Sequence, residues 1–321
     1  MTKVDLITGF LGSGKTTFIK YYANYLLDKG EKICVLENDY GAINVDTMIL
    51  ADLKNDNCDI EMVAGGCDYD CHRRRFKTKL ITIAMLGYSR VLIEPSGIFD
   101  VDEFFDILHE SPLDSMYNIE NVITIVNSEL NNDLSHEANY LLASQAANAG
   151  CIVFSHIDNP DAEKQSFLLS RINDALKTIK CDRIFNDGNT FAVNWKDFTL
   201  SDFEKLSHSG YSTQSFEKNF SIEQNGFESL FFMHIHMDIN TLKSKIRELF
   251  HDESAGTIVR VKGFIMSDTD NGWIEINATE KAINTNQIKN GQEVLIVIGE
   301  HLNREKIDSY FQSKYSSCRR E

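Results

Sequence analysis

The chain has 321 residues, of which 42% are hydrophobic and 25% are charged, as in ordinary globular proteins with room for two hydrophobic cores. Acidic residues outnumber basic residues by 48 to 32, and the net charge of −16 argues against nucleic acid and anionic membranes as partners. Seven irregularly spaced cysteines do not suggest a disulfide framework, so a reducing cytoplasm is the expected location. We also expect neither a signal peptide nor a membrane span, because the first predicted strand starts almost at once and no apolar run is long enough.

Residues 9–17 read Gly-Phe-Leu-Gly-Ser-Gly-Lys-Thr-Thr and match the phosphate-loop pattern G-x-x-x-x-G-K-[ST]. An apolar run before the pattern predicts a buried strand, and apolar side chains at helical spacing after it predict a helix that ends near Gly30. In this pattern Lys15 reaches the β- and γ-phosphates and the Thr16 hydroxyl ligates Mg²⁺. The alternative, a chance glycine-rich turn, does not account for strand, loop and helix in register. The residues predicted to contact the nucleoside triphosphate are Gly9, Gly12, Ser13, Gly14, Lys15, Thr16 and Thr17.

A second buried strand is predicted over residues 32–36, and it runs into a polar segment that begins at Glu37. Ligands bind at the carboxyl ends of the strands in open α/β sheets. Asp39 is therefore predicted to hold the magnesium ion through water or to orient the attacking water, with a solvated loop acid as the alternative. Cys34 is interpreted as a small core residue, and Cys58, in a predicted polar loop, is an additional candidate metal ligand.

A cluster of metal-binding residue types follows the second strand. Two thiols, two carboxylates and an imidazole lie within six residues, namely Cys67, Asp68, Asp70, Cys71 and His72. This set is typical of a site for a soft or borderline divalent metal. The alternative is a helix N-terminus with an aspartate cap and with the following arginines on the solvated face. We favour the metal site, with Cys67, Cys71, Asp70 and His72 as ligands, because two cysteines beside a pair of glycines are unexpected in an idle loop.

A helix is predicted through about residue 86, and an apolar strand that ends in Glu94 follows it. An acidic residue in that place is the Walker B arrangement, which sets a carboxylate beside Mg²⁺ and the γ-phosphate. Gly97, three residues on, would let a backbone N–H approach the γ-phosphate. An ordinary acid at a strand end is the alternative for Glu94. The predicted catalytic residues are Lys15, Asp39 and Glu94.

Two more buried parallel strands are predicted over residues 122–126 and 151–154, and the second leads into Ser155, His156 and Asp158. Asp158 can accept hydrogen bonds from N1–H and the exocyclic amine of guanine, so these three residues form the predicted base-binding edge. Alternating strands and helices predict a doubly wound α/β fold with a mostly parallel sheet.

The chain is predicted to contain a nucleotide-binding domain over residues 1–195, a linker and surface excursion over 196–227, and a smaller α+β domain over 228–321. The strands expected in the last domain cover residues 230–237, 257–266, 273–278 and 292–298, and the helices lie near 242–250 and 304–311. His234 and His236 share one face of a predicted strand. They could chelate a metal, although two exposed polar residues are the simpler interpretation.

These motifs together resemble the CobW/UreG/HypB metallochaperone GTPases, most closely the CobW-like branch, over nearly the whole chain. The segments that carry the resemblance are residues 9–17, 38–41, 94–97, 256–264 and 297–305. The resemblance implies a P-loop GTPase domain followed by a CobW C-terminal domain. Two departures stand out: of the family's Gly-Cys-x-Cys-Cys motif only Cys67 keeps its place, and of its Asn-Lys-x-Asp guanine motif only Asp158 remains.

The activity that the resemblance implies is hydrolysis of GTP to GDP and phosphate with Mg²⁺, coupled to binding and delivery of Zn²⁺ or another transition metal. Turnover is expected to be slow, because the sequence shows no obvious arginine finger for the γ-phosphate. The implied partner is a client metalloprotein or a cofactor-assembly enzyme, and a nucleotide-dependent homodimer is left open. Two alternatives belong to other classes. One is a nucleotide-dependent switch or ATPase without metal transfer, and the other is a passive metal-binding module with a structural nucleotide site.

Overall fold

The computed structural model describes residues 1–39, 50–64, 69–96, 101–129, 134–157, 162–217, 228–233, 235, 237–266, 272–288 and 293–311. The chain divides into two compact units, Met1–Phe220 and Ser221–Glu321. No helix within these ranges is both long enough and apolar enough to cross a bilayer. Each unit has a hydrophobic core of its own.

The first unit is built on a seven-stranded sheet in which every described pairing is parallel. Its strands are β1 (Thr2–Thr8), β2 (Ile33–Asp39), β3 (Cys58–Ala64), β4 (Arg90–Pro95), β5 (Tyr117–Asn127), β6 (Cys151–Ser155) and β7 (Thr190–Phe191). Their order in the sheet is β3-β2-β4-β1-β5-β6-β7. The chain therefore runs from β1 to β2 and β3 at one edge, returns to place β4 between β2 and β1, and then continues through β5 and β6 to β7 at the other edge. Buried parallel strands read as continuous apolar runs, as β4 and β6 do here. The predicted doubly wound α/β fold is confirmed.

Seven helices accompany this sheet in the described part of the unit. They are α1 (Lys15–Asp28), α2 (Tyr69–Met85), α3 (Val101–Leu108), α4 (Leu113–Met116), α5 (His136–Ala147), α6 (Ala162–Thr178) and α7 (Leu200–Leu206). Helix α1 buries Phe18, Ile19, Tyr22 and Leu26 on one face, each contributing about 1.5–3 kcal/mol when fully removed from water. This packing fixes the helix whose first residue is Lys15.

A buried polar network ties four elements of the first unit together. The carboxylate of Asp5, which is fully buried in β1, accepts hydrogen bonds from Arg90 Nη1 at 2.7 Å, Tyr22 Oη at 2.8 Å and Asn121 Nδ2 at 2.7 Å. Burial raises the pKa of the Asp5 carboxyl, and the nearby Arg90 guanidinium opposes that shift. Because the donors surround this carboxylate, the network holds β1, β4, β5 and α1 in a fixed relation.

The segment expected to be a linker differs from the prediction over residues 196–217. Helix α7 begins after Thr199, whose hydroxyl accepts from the Asp202 N–H in a capping box, and it buries Phe203 and Leu206. The Phe203 ring stacks on Tyr25 of α1 with 5.1 Å between ring centroids. The polar composition of the segment concealed these apolar anchors in the sequence. In the structure they pack α7 against α1 of the first unit. Residues 218–227 lie outside the described part.

The second unit is an antiparallel sheet packed with two helices, which confirms the predicted α+β class. Its strands are β8 (Glu228–Phe232), β9 (Thr257–Met266), β10 (Trp273–Ala278), β11 (Ile283–Ile288) and β12 (Val294–Glu300), and its helices are α8 (Ile239–Phe250) and α9 (Arg304–Phe311). The strand order is β11-β10-β9-β12-β8. Strand β11 was not predicted because its interior is polar, and β8 ends at Phe232, short of the predicted end. His234 and His236 lie outside the described residues.

Candidate nucleotide and metal sites

The phosphate loop connects β1 to α1 and has a conformation that two of its glycines make necessary. Gly9 has φ +143°, and a Cβ there would collide with the backbone oxygen of Ile125. Gly14, the N-cap of α1, has φ +92°, and a Cβ there would lie 3.0 Å from Cη2 of Trp195. Only glycine meets both requirements without strain. The loop therefore leads directly into the N-terminus of α1, where the helix dipole favours an anion.

Lys15 and Thr16 occupy the first turn of α1 and are both largely buried. The Lys15 ammonium donates to the Gly9 carbonyl at 2.9 Å, so the side chain folds back along the loop. The Thr16 hydroxyl donates to Oε1 of Glu94 at 2.9 Å. Since the hydroxyl proton is directed at the carboxylate, the lone pairs of Thr16 Oγ1 are available to a cation. The structure thus brings together the predicted magnesium ligands from β4 and α1.

A second carboxylate, which the sequence interpretation passed over, lies beside Glu94. The parallel register of β2 and β4 pairs Glu37 with Glu94, and paired residues on neighbouring strands point to the same face of the sheet. Glu37 is 2% exposed. Asp39, to which the catalytic role was assigned, ends β2, and its side chain lies outside the described part. The signal available in the sequence was the position of Glu37 at the end of an apolar run, the same signal that marked Glu94.

Only some of the predicted metal ligands lie among the residues that the structure describes. Cys67, like Gly97, lies outside the described residues, as does the side chain of Asp70. Cys71, in the first turn of α2, is half-buried and lines an open groove of about 490 Å³ between α2 and β3. His72 is 1% exposed, and its Nε2 lies 2.8 Å from Oδ1 of Asn38 in β2. Within the described ranges no three His, Cys, Asp or Glu side chains converge on a metal position.

Four other described thiols, those of Cys34, Cys58, Cys151 and Cys181, are buried in the core, and the pKa of three of them is raised. Burial raises the pKa of the Cys34 thiol, of Cys58 to about 11, and of Cys151 to about 12. The thiolate is the form that ligates metal, so these cysteines are poor ligands at neutral pH. Cys34 is the core residue that the sequence predicted. Cys58 was expected in a polar loop, but it begins β3, where pairing with Ile33 places it in the core.

The base-binding edge is described up to residue 157, so Asp158 lies beyond it. Ser155 ends β6 and is 1% exposed, and its hydroxyl lies 2.9 Å from Nδ1 of His156. His156 has φ +56° and is exposed. Trp195 was not predicted here, but it packs against Phe18 at 5.9 Å between ring centroids and faces Gly14. It forms one wall of the phosphate loop.

Two family models and two curated relatives match parts of this chain. The family model described as CobW/HypB/UreG, nucleotide-binding domain, matches residues 3–185, and that of the cobalamin synthesis protein cobW C-terminal domain matches residues 233–314. The zinc chaperones YeiR and YjiA of Escherichia coli K12 are 31% identical over 169 residues and 29% identical over 181 residues.

These alignments cover 52% and 53% of this chain and 50% and 54% of YeiR and YjiA, so the chain matches about half the length of each relative. The crystal structure of Zn(II)-bound YjiA GTPase from E. coli is 17% identical, with 97% of this chain and 98% of that chain covered and a TM-score of 0.32. The nucleotide-binding family model covers more than half of the chain, and the chain therefore belongs to the CobW/HypB/UreG family.

Proposed function

We propose that this protein is a slow GTPase that couples hydrolysis of GTP to GDP and phosphate to the binding and delivery of a transition metal. The observation that carries the proposal is the hydrogen bond between Thr16 and Glu94 at the end of a glycine loop that also presents Lys15. It unites a phosphate-binding helix terminus with a cation-binding pair of oxygens. Family membership supports the coupling to metal.

The nucleotide chemistry follows from the groups at the loop. A triphosphate would draw the Lys15 ammonium from the Gly9 carbonyl to the β- and γ-phosphate oxygens, while the loop N–H groups bind the phosphates. Hydroxyl and carboxylate oxygens form the hard donor set that Mg²⁺ prefers, so Thr16 and Glu94 fit this ion. When bound, Mg²⁺ neutralises charge that develops on the phosphate oxygens. Glu94 orients the Thr16 hydroxyl, and Asp39 is the proposed group for the attacking water.

Guanine selection is assigned to the edge formed by Ser155, His156 and Asp158. A carboxylate there accepts two hydrogen bonds from guanine, one from N1–H and one from the 2-amino group. Adenine has an acceptor at N1 and no amino group at C2, so it cannot make this pair of hydrogen bonds. The absence of the family's Asn and Lys from this motif leaves Asp158 as the main determinant. GTP is therefore the proposed substrate, with weaker selection against ATP than a complete motif would give.

The metal is the cargo of the proposed reaction. Cys67, Cys71 and Asp70 are the proposed ligands, and mixed sulfur and oxygen ligation suits Zn²⁺ or a similar borderline ion. The names of the relatives, both zinc chaperones, support this choice. The Nε2 of His72 contacts Asn38, so we propose that His72 positions the neighbouring Cys71, and ligation through its Nδ1 stays a prediction. The proposed recipient is a client metalloprotein or cofactor-assembly enzyme in the cytoplasm, and the proposed active form includes a nucleotide-dependent homodimer.

The test combines hydrolysis and metal binding in one set of variants. Lys15→Ala should abolish GTP binding and turnover, while Lys20→Ala, on the same helix but paired with Asp52 at the surface, should behave as wild type. In Co²⁺ titrations, the thiolate charge-transfer band should disappear in Cys67→Ser/Cys71→Ser and persist in Cys181→Ala. Hydrolysis without any effect of metal would favour the nucleotide switch. Metal binding without hydrolysis would favour the passive module.

A further inference from the structure

Asn38, the penultimate residue of β2, makes contacts in two directions. Its side-chain Oδ1 lies 2.8 Å from Nε2 of His72, and because an amide oxygen accepts, the imidazole donates in the tautomer that carries its proton on Nε2. Its backbone carbonyl accepts the N–H of Ser96 at 2.8 Å. Asn38 and His72 are 2% and 1% exposed. The contacts therefore lie in the interior, where water cannot replace them.

Each of these contacts leads to one of the two candidate sites. His72 directly follows Cys71, the described candidate ligand of the metal, in the first turn of α2. Ser96 lies two residues beyond Glu94, whose carboxylate accepts the Thr16 hydroxyl. Asn38 is thus one residue through which the start of α2 and the magnesium-binding end of β4 are joined by hydrogen bonds.

Side chains alternate between the two faces of the sheet along β2, so Glu37 and Asn38 face different sites. Glu37 is in register with Glu94, on the face of the sheet where Thr16 of α1 reaches that carboxylate. Asn38, the next residue, points to the opposite face, where it contacts α2. A displacement of the first turn of α2 must therefore either break the His72 hydrogen bond or shift the end of β2. A shift of β2 also moves the carbonyl that holds Ser96.

We propose that the hydrogen bond between His72 and Asn38 is the positioning contact through which metal bound at Cys71 and nucleotide bound at Thr16 influence each other. This inference rests on the proposed function and names the part of the chain that couples its two halves. A purely structural role is the competing explanation. It predicts that losing the bond lowers stability, or lowers both affinities, without changing their mutual dependence.

The measurement is the coupling ratio, defined as the Kd for Zn²⁺ with GDP divided by the Kd with a non-hydrolysable GTP analogue. We expect a ratio of about 10 in the wild type, within the range typical of coupled sites. His72→Phe keeps a ring but removes the donor, and it should bring the ratio to within twofold of 1. His72→Gln retains an amide donor and should keep most of the ratio.

The matched control is Tyr117→Phe, which removes a buried hydrogen bond from the Tyr117 hydroxyl to the Leu80 carbonyl at 2.7 Å. That bond holds the same helix, α2, but lies about two and a half turns away from Cys71. Tyr117→Phe should leave the coupling ratio at the wild-type value. By reciprocity, Zn²⁺ must change the ratio of the Kd for GDP to the Kd for the GTP analogue by the same factor in each variant, which gives an independent check.

The outcomes separate this inference from the proposed function. A wild-type ratio of 1 would overturn the metal–nucleotide coupling itself, and this inference with it. A wild-type ratio near 10 that survives in His72→Phe would overturn this inference alone. If His72→Phe does not fold, the imidazole nitrogen resonances of His72 in labelled wild-type protein replace it. They should shift when the GTP analogue is added to the metal-free protein. Unchanged resonances would refute the proposal that the hydrogen bond between His72 and Asn38 couples the two sites.

Discussion

The buried ion pair of Asp5 and Arg90 leads to a quantitative prediction about the first unit. The perturbation is Arg90→Met, which preserves much of the side-chain volume but leaves the carboxylate of Asp5 without its cation. Both side chains are at most 3% exposed, and the pair is 2.7 Å apart. Breaking such a pair from one side costs about 3–5 kcal/mol, because an uncompensated charge remains buried. For a unit of this size, that loss corresponds to a fall in Tm of roughly 6–20 °C.

The pH dependence of this variant has a definite sign. Burial raises the pKa of the Asp5 carboxyl above its value in the unfolded chain, and Arg90 opposes the rise. A carboxyl whose pKa is raised in the folded state contributes its whole stabilisation below its pKa in the unfolded chain, which is about 4. That stabilisation is lost as the pH rises through the pKa of the folded state. Removing Arg90 raises the folded value further. The Arg90→Met variant should therefore recover part of its lost stability as the pH is lowered from neutral to about 5.

The assay is urea unfolding followed by tryptophan fluorescence. The chain has two tryptophans, so a Trp273→Phe background leaves Trp195 as the reporter of the first unit. The double variant Asp5→Asn/Arg90→Met removes both charges and should regain most of the loss. Lys177→Met breaks an exposed pair with Asp174 and should cause no measurable change. A loss below about 1 kcal/mol in Arg90→Met, or a double variant no more stable than the single one, would refute this reasoning.

Three further predictions concern the sites. Gly9→Ala should weaken GTP binding at least tenfold in an equilibrium titration, because its Cβ would collide with the Ile125 carbonyl at a φ that favours glycine. Wild-type affinity in this variant would show that the loop tolerates a side chain. Glu94→Gln keeps an acceptor for Thr16 but removes the charge, so single-turnover assays should show slower hydrolysis with GTP binding retained; equal loss of binding would make Glu94 structural. ATP should displace labelled GTP roughly 5- to 150-fold less effectively than unlabelled GTP does, which corresponds to about 1–3 kcal/mol for hydrogen bonds to a charged group. Equal displacement by ATP and GTP would indicate a general NTPase.

Much of the fold was predictable because local patterns and tertiary packing agree. Strands β9 and β10 and helix α9 lie at their predicted bounds, since apolar residues there recur at the period of the element that forms. Strand β11 was missed because its polar interior carries no such period. Helix α7 was missed because its two apolar anchors are diluted by a polar sequence, although Thr199 and Asp202 supply a capping signal that could have revealed it.

The phosphate loop can be identified from the sequence alone, whereas the contacts that surround it cannot. The sequence alone determined the phosphate loop and the acidic strand end at Glu94, because glycines, Lys15 and Thr16 must be contiguous to wrap a phosphate. Only the tertiary structure decided that Glu37 lies beside Glu94, that Trp195 walls the loop, and that His72 faces Asn38. Those contacts join residues up to 181 positions apart, and strand register and helix packing, which no local pattern specifies, bring them together.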